Sequence, residues 1–97
     1  MNFDIRFDCP IYKIPPGGVF MTESGDVYQR IEHGQWAGLY RNLRDISASG
    51  ATGFPNSELL VHRIMTPLIG VELVFLAGWY SGRLHEMKQA AQVEAQG

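Results

Sequence analysis

The stretch IYKIPPGGVFMTESGDVYQRI, residues 11–31, decides the fold of this 97-residue chain. Its paired prolines cannot donate to a β-ladder and its paired glycines tolerate positive φ, so residues 15–18 are expected to connect two strands. The segments GVFMT and VYQRIE then flank the polar link ESGD, whose glycine stands at the expected left-handed position. This arrangement predicts a β-hairpin.

The glycine pair in this stretch also raises the question of a phosphate-binding loop. Such a loop joins a strand to the N-terminus of a helix, because the helix amides and dipole hold the anion. The residues after Gly17 and Gly18 are those of a strand, and no Lys-Ser or Lys-Thr pair follows them. The sequence therefore predicts a turn here and no nucleotide site.

The residues before the hairpin continue the β pattern. Phe3, Ile5 and Phe7 alternate with charged residues, which is the period of a half-buried strand. Together with the hairpin, this makes residues 1–33 a β-rich region, predicted to form an antiparallel sheet.

From residue 35 the apolar period changes, and we predict a helical region over residues 35–94. Its first helix is predicted over residues 36–46, and a strand over 36–43 is the alternative because Gly38 weakens a helix by about 1 kcal/mol. The residues whose spacing matches one helix face are Trp36, Leu39, Tyr40, Leu43 and Ile46. A loop of small residues over 47–57 comes next, and then a second helix over ELLVHRIM, capped by Asn56 or Ser57.

The clearest helix start in the chain is Thr66 followed by Pro67 at the first helical position. Apolar residues then recur every three or four positions as far as residue 91, and between residues 68 and 80 the opposite face is apolar too. The polar, alanine-rich tail 92–97 is expected to fray. The predicted fold is α+β in one domain, residues 1–97: an N-terminal antiparallel sheet packed against helices, with a long C-terminal helix from about Pro67.

Composition and charge exclude several classes of protein. Hydrophobic residues make up 45% of the chain and charged residues 19%, which is the balance of a folded domain. A net charge of −2 makes nucleic acid an unlikely partner, since affinity for it comes from neutralising phosphates. The most apolar segment, PLIGVELVFLAGWY, is too short to cross a bilayer and contains Glu72. With a single cysteine and no signal-like N-terminus, the expectation is a soluble cytoplasmic protein.

No catalytic or metal-binding constellation is evident. Cys9 lies between an acidic residue and a proline, without the strand–turn–helix setting of a nucleophile, and is interpreted as structural. Glu58 and His62 are four residues apart on the predicted second helix, but two ligands make no closed metal site. The sequence predicts no enzyme, no cofactor and no metal.

Seven residues are candidates for contacting a partner. Arg41 and Arg44 form the densest basic spot, Asp26 belongs to an acidic region in the first third, and Glu72 interrupts the most apolar segment as an ion pair or a functional carboxylate. The aromatic content is high for so small a chain, which adds three aromatic candidates. The full set is Asp26, Tyr28, Arg41, Arg44, Phe54, Glu72 and Trp79.

The leading functional hypothesis is a small non-enzymatic protein that binds another protein, such as a larger host complex, with a homodimer through the helix 67–91 as an option. An apolar surface larger than one chain can cover favours such association. Chains of this kind are frequent among phage and mobile-element accessory proteins, including inhibitors of host defence such as anti-CRISPR proteins. A ligand-binding or enzymatic domain with a pocket at Arg41, Arg44 and His62 is the alternative, and a dimeric nucleic-acid-binding regulator is the third.

Overall fold

The computed structural model describes residues 5–43, 50–65 and 71–96, and within the helix it describes the side chains of residues 75–92. The described part contains five short strands, one 3₁₀ turn and one long helix. These are β1 Cys9–Pro10, the 3₁₀ turn Ile11–Lys13, β2 Val19–Met21, β3 Val27–Arg30, β4 Tyr40–Asn42, β5 Leu60–Ile64 and α1 Val71–Gln96.

The strands form one antiparallel sheet in the order β1-β5-β2-β3-β4. The last strand in the chain, β5, lies between β1 and β2. Residues 60–64 are therefore needed to join β1 to the rest of the sheet. The α+β class is therefore confirmed. The sheet is not confined to the N-terminal third, however, because β4 and β5 come from the region predicted to be helical.

The predicted hairpin is confirmed. Strands β2 and β3 pair with Phe20 opposite Tyr28, and the Thr22 amide donates to the Asp26 carbonyl at 2.9 Å to close the turn. Gly25 has φ +93°, a conformation that an L-residue with a Cβ adopts only under strain. The PPGG segment is likewise a turn, with Gly17 at φ +80°.

The helix predicted over residues 36–46 is wrong, and the strand alternative holds for Tyr40–Asn42. Gly38 has φ +88°, which ends any right-handed helix at that residue. The backbone instead returns to β3, since the Ile31 amide donates to the Leu39 carbonyl at 2.8 Å. Residues 44–46 of the predicted helix lie outside the described part.

The helix predicted over residues 58–65 is also wrong, because Leu60–Ile64 is strand β5. Asn56, the predicted cap, does accept backbone amides, but it does so in a turn before β5. Its Oδ1 accepts the Glu58 amide at 3.0 Å, and its carbonyl accepts the Leu59 amide at 3.2 Å. The chain then pairs with β2, with Phe20 opposite Arg63. Long-range pairing with β2 is what makes this segment a strand.

The strand predicted over residues 3–7 is absent from residues 5–8, which carry no regular secondary structure. The inward and outward alternation is nevertheless real, since Ile5 is buried and Arg6 is exposed. The Arg6 amide donates to Nδ1 of His62 at 3.1 Å. A side chain of β5 thus holds a segment that the sequence pattern assigned to the sheet.

The sheet has an apolar core on each face. Tyr80 and Leu84 of α1 cover one face, and the 3₁₀ turn with the segment around Phe54 and Leu59 covers the other. The first core contains Ile5, Val19, Met21, Val27, Leu43, Ile64, Ala77, Tyr80 and Leu84. The second contains Ile11, Ile14, Phe20, Tyr28 and Val61.

Helix α1 is the single helix of the described part, so the predicted packing against several helices is only partly met. Its predicted start near Pro67 lies outside the described residues, and its backbone remains helical through the predicted tail to Gln96. Every side chain from His85 to Gln92 is exposed. The helix therefore packs on the sheet through its middle turns, and residues 85–92 contribute no side chain to either core.

Candidate functional site

The most exposed large apolar side chains of α1 lie on one side of the helix. Phe75 is 80% exposed and Trp79 is 46% exposed, whereas Tyr80 and Leu84 are buried against the sheet. With 3.6 residues per turn, positions 75 and 79 lie roughly opposite position 84. We define the outer face of α1 as Phe75, Trp79, Gly82, Glu86 and Ala90, which follow one another at helical spacing and are all exposed.

The outer face has two unlike halves. Its first half is aromatic, and the Trp79 ring is supported by an edge contact with Tyr80, with 5.0 Å between ring centroids and planes at 87°. Its second half is small and polar: a Cβ built on Gly82 would meet no atom within 4 Å. Glu86 lies there beside Arg83, with 3.6 Å between Oε2 and Nη1. The face thus offers a hydrophobic anchor next to an open stretch of helix.

Exposed aromatic rings on an ordered helix are the main reason to place a binding surface here. Aromatic side chains are enriched at protein interfaces, where a few such anchors supply most of the binding energy. Phe75 contributes little to the core of this chain, because four-fifths of its surface is open. The hydrophobic area is therefore available for a partner.

Of the seven predicted partner residues, Trp79 belongs to this outer face. Arg44 and the side chain of Glu72 lie outside the described part, so the predictions about them stay predictions. Tyr28 is buried, and Phe54 is half-buried against it with 5.0 Å between ring centroids. Burial, and then the charge of Asp26, raise the pKa of the Tyr28 phenol above its ordinary value. The rings of Tyr28 and Phe54 thus pack against each other in the second core.

Asp26 lies in the β2–β3 turn and Arg41 on β4, and neither belongs to the outer face. The Asp26 carboxylate accepts the Ser24 hydroxyl at 3.0 Å, so this acid stabilises the hairpin turn. Arg41 is exposed on β4, where it lines a cavity of about 280 Å³ with Gln29 and His33. Asp26 and Arg41 were each predicted as contacts because of their charge. In the structure, Asp26 accepts a hydrogen bond within the hairpin turn and Arg41 lines a cavity beside β4.

The pocket predicted from Arg41, Arg44 and His62 is not formed by the described residues. Arg41 is on β4 and His62 is on β5, and strands β2 and β3 lie between them. His62 instead packs between the rings of Phe7 and Tyr80, at centroid distances of 6.5 Å and 5.6 Å. The proposed ligand pocket is thus wrong for two of its three residues, and Arg44 is not described.

A different cleft lies between the β2–β3 turn and α1, with a volume of about 470 Å³. The Ser81 hydroxyl donates to the Gly25 carbonyl, and Lys88 Nζ donates to the Glu23 carbonyl at 2.7 Å, so side chains of α1 fix both walls. His85 and Lys88 bring basic groups to the lining. This cleft was not predictable from the sequence, because 56 or more residues separate the groups that join its two walls.

Three exposed aromatic residues were not predicted as candidate contacts: Tyr12, Trp36 and Phe75. In the sequence, Phe75 belongs to a helix that is apolar on all sides. A helix of that kind must be covered on all sides, and this was the signal that Phe75 contacts another surface. Trp36 was assigned to the core face of a helix, yet it lies 43% exposed in the loop between β3 and β4. Its exposure follows from the turn at Gly38, which the helix interpretation did not include.

Within residues 5–43, 50–65 and 71–96, no three His, Cys, Asp or Glu side chains come together as metal ligands. In the same residues, no helix has the length and hydropathy needed to span a membrane. Comparison with protein-family models, curated proteins and solved structures finds no match to this chain.

Proposed function

We propose that this chain acts by protein–protein association, and that the outer face of α1 is its contact surface. The observation that carries the proposal is the exposure of Phe75 and Trp79, at 80% and 46%, one turn apart on a single helix. Burying an aromatic ring of this kind contributes about 1.5–3 kcal/mol per side chain. Two adjacent anchors can therefore contribute about 3–6 kcal/mol toward the binding energy of a micromolar complex, about 8 kcal/mol, once their neighbours exclude water.

The charges around the anchors are compatible with such a surface. Arg83 and Glu86 have opposite charge and lie 3.6 Å apart at the edge of the outer face. A mixed-charge rim around an apolar centre is the usual composition of a protein interface, and the rim determines specificity more than affinity. The wider expectation of a phage or mobile-element accessory protein that inhibits a host complex remains a sequence-based prediction.

The test is a comparison of tagged baits in nuclease-treated lysate that contains an untagged copy of the chain. The baits are the wild type, the double variant Phe75→Ser/Trp79→Ser, and the control Tyr12→Ser, which removes an aromatic outside α1 whose exposure, 58%, lies between those of the two anchors. We expect quantitative mass spectrometry to recover one protein, or the untagged copy, near stoichiometrically with wild type and control. The double variant should lose at least 90% of that signal.

Two outcomes would overturn the proposal. One is recovery of no stoichiometric protein by the wild-type bait. The other is a complex retained equally by the double variant, which would place the contact elsewhere. Far-ultraviolet circular dichroism of each bait shows whether the variants keep the wild-type fold, as expected for substitutions at exposed positions.

The cleft between the β2–β3 turn and α1 supports a second candidate, binding of a small anion. Its volume of about 470 Å³ is within the range of ligand pockets, about 300–1,000 Å³. Lys88 and His85 are the groups that would attract a carboxylate or a phosphate. The Asp26 carboxylate next to Ser24 opposes this attraction, which is why protein binding is the leading proposal.

Thermal unfolding with a panel of nucleotides, carboxylates and inorganic phosphate tests this second candidate. A ligand at about one hundred times its dissociation constant stabilises the folded state by about 2.7 kcal/mol. We expect Lys88→Met to remove that stabilisation for any ligand bound in the cleft. If no member of the panel shifts the thermal midpoint, anion binding in the cleft is excluded. The third hypothesis, a dimeric nucleic-acid-binding regulator, stays a sequence-based prediction.

A further inference from the structure

We infer that the outer face of α1 is occupied by the same face of a second copy, with the two helices antiparallel. This inference rests on the proposed function and names its partner. Three features carry it: the amount of uncovered surface, the order of large and small residues along the face, and the position of its charges.

The chain exposes more surface than a folded monomer of its mass. Its accessible surface is 6663 Å², whereas a compact monomer of 10.9 kDa exposes about 5,600 Å². The excess of about 1,100 Å² exceeds the area of about 800 Å² that each partner buries in a standard interface. Summed over the whole chain, the uncovered surface is thus larger than one side of a standard interface, and the exposed Phe75 and Trp79 of the outer face contribute to it.

The order of residues along the outer face specifies the direction of pairing. Large residues, Phe75 and Trp79, come first, and Gly82 and Ala90 come later on the same exposed side. When two copies run antiparallel and cross between residues 82 and 83, the rings of each copy lie over the open half of the other. Phe75 then opposes Ala90 and Trp79 opposes Glu86, so each ring meets a smaller side chain of the other copy.

The charges favour the same direction. In a parallel pair, Glu86 of each copy would lie beside Glu86 of the other, and like charges in contact are destabilising. In the antiparallel pair, Arg83 lies about one turn from Glu86 of the second copy. The antiparallel order also places opposite ends of the two helix dipoles next to each other.

Pairing in this way also accounts for the uncovered C-terminal half of α1. Side chains from His85 to Gln92 are all exposed in the single chain, where Lys88 donates to the Glu23 carbonyl but no residue from 85 to 92 belongs to either core. A helical segment of this length with so few tertiary contacts is only marginally stable in water. A second copy covers that half with its own aromatic residues. Helix α1 is thus both the inferred interface and the segment that the interface would stabilise.

Sedimentation equilibrium of the full chain between about 1 and 100 µM tests the inference. We expect wild type and Tyr12→Ser to reach twice the chain mass of 10.9 kDa, and Phe75→Ser/Trp79→Ser to remain monomeric with a dissociation constant raised at least tenfold. A wild type that stays monomeric at 100 µM overturns the inference. If the lysate experiment still shows an aromatic-dependent complex with another protein, the proposed function stands without it.

Cross-linking with a short bis-maleimide tests the direction of pairing in a Cys9→Ser background. We expect Arg83→Cys to cross-link between copies, because position 83 lies at the crossing point. Ala90→Cys should not, because two antiparallel copies place its positions about 22 Å apart along the axis. Equal cross-linking at both positions would show parallel pairing and overturn the inferred geometry.

Discussion

Two phenylalanines of this chain occupy opposite environments, and that contrast separates folding from association. Phe20 is fully buried, and its ring contacts three others at centroid distances of 5.3–6.1 Å: Tyr28, Tyr40 and Phe54. Phe75 is 80% exposed on α1. The same side chain therefore stabilises the monomer at one position and is free to bind at the other.

Replacing each phenylalanine by alanine should give results that differ several-fold. We expect Phe20→Ala to lower the free energy of unfolding by about 3–5 kcal/mol, since it removes buried area and leaves a cavity. We expect Phe75→Ala to change it by less than about 0.5 kcal/mol in dilute monomer. Urea unfolding at about 1 µM measures both values. A large loss at Phe75 would mean that this ring packs within its own chain.

Tyr28 provides a pH signature of the second core. Burial, and then the charge of Asp26, raise the pKa of its phenol, and burial raises the pKa of Tyr80 as well. The phenol of an unfolded chain has a pKa of about 10. When folding raises that pKa, the resulting stabilisation is fully present below pH 10 and is lost as the pH rises through the pKa of the folded state. The free energy of unfolding should therefore fall above pH 10. Tyr28→Phe should make that fall smaller between pH 9 and 11, and an unchanged fall would contradict the assignment.

At the scale of elements, what the sequence could predict depends on how local the determinants are. The β2–β3 hairpin is set by the ESGD link, and the turn at Gly17 by the PPGG segment, so both were predictable. Strand β5 was not, because the short apolar run LLVHRI does not distinguish a strand from a helix. Its residues have apolar neighbours on both faces of the sheet, so the alternation of a half-buried strand is missing.

The candidate site was predictable to a similar extent. The apolar character of α1 on all sides indicated an uncovered face, and this gave Trp79 as a candidate. The sequence could not show which side the sheet covers, since that depends on how Tyr80 and Leu84 meet strands brought together over long range. For the same reason the sequence could not show that Tyr28 and Phe54 pack in the second core, because their ring contact forms only in the folded sheet.

Two glycines in different elements should respond to alanine in opposite directions. Gly25→Ala at the hairpin turn should cost about 1–2 kcal/mol, since its φ is +93° and the new Cβ would lie 3.4 Å from the Ser81 hydroxyl. Gly82→Ala in α1 should stabilise the monomer by about 1 kcal/mol, because its Cβ meets nothing within 4 Å and alanine favours helix. Urea unfolding of the Phe75→Ser/Trp79→Ser monomer measures both. Equal signs would contradict the conformations of these two residues.

At the scale of the whole molecule, the elongated outline has one physical origin. The chain measures 51 × 29 × 24 Å, and its radius of gyration of 14.1 Å exceeds the value of about 12.5 Å expected for a compact domain of this length. A 26-residue helix spans about 39 Å, which is longer than the other two dimensions. The sheet supports its middle, and its outer face and C-terminal half remain for a partner.

The proposed association through that helix predicts that folding stability depends on protein concentration. When a dimer unfolds to two chains, each tenfold increase in concentration adds about 1.4 kcal/mol per mole of dimer to the free energy of unfolding. We therefore expect the thermal midpoint of wild type to rise steadily between 1 and 100 µM, and that of Tyr12→Ser to rise in parallel. The midpoint of Phe75→Ser/Trp79→Ser should be flat over the same range, since its monomer keeps both cores but lacks the anchors. A flat wild-type midpoint would contradict self-association through α1, and a slope in the double variant would move the contact to another surface, with the exposed Trp36 loop as the next one to test.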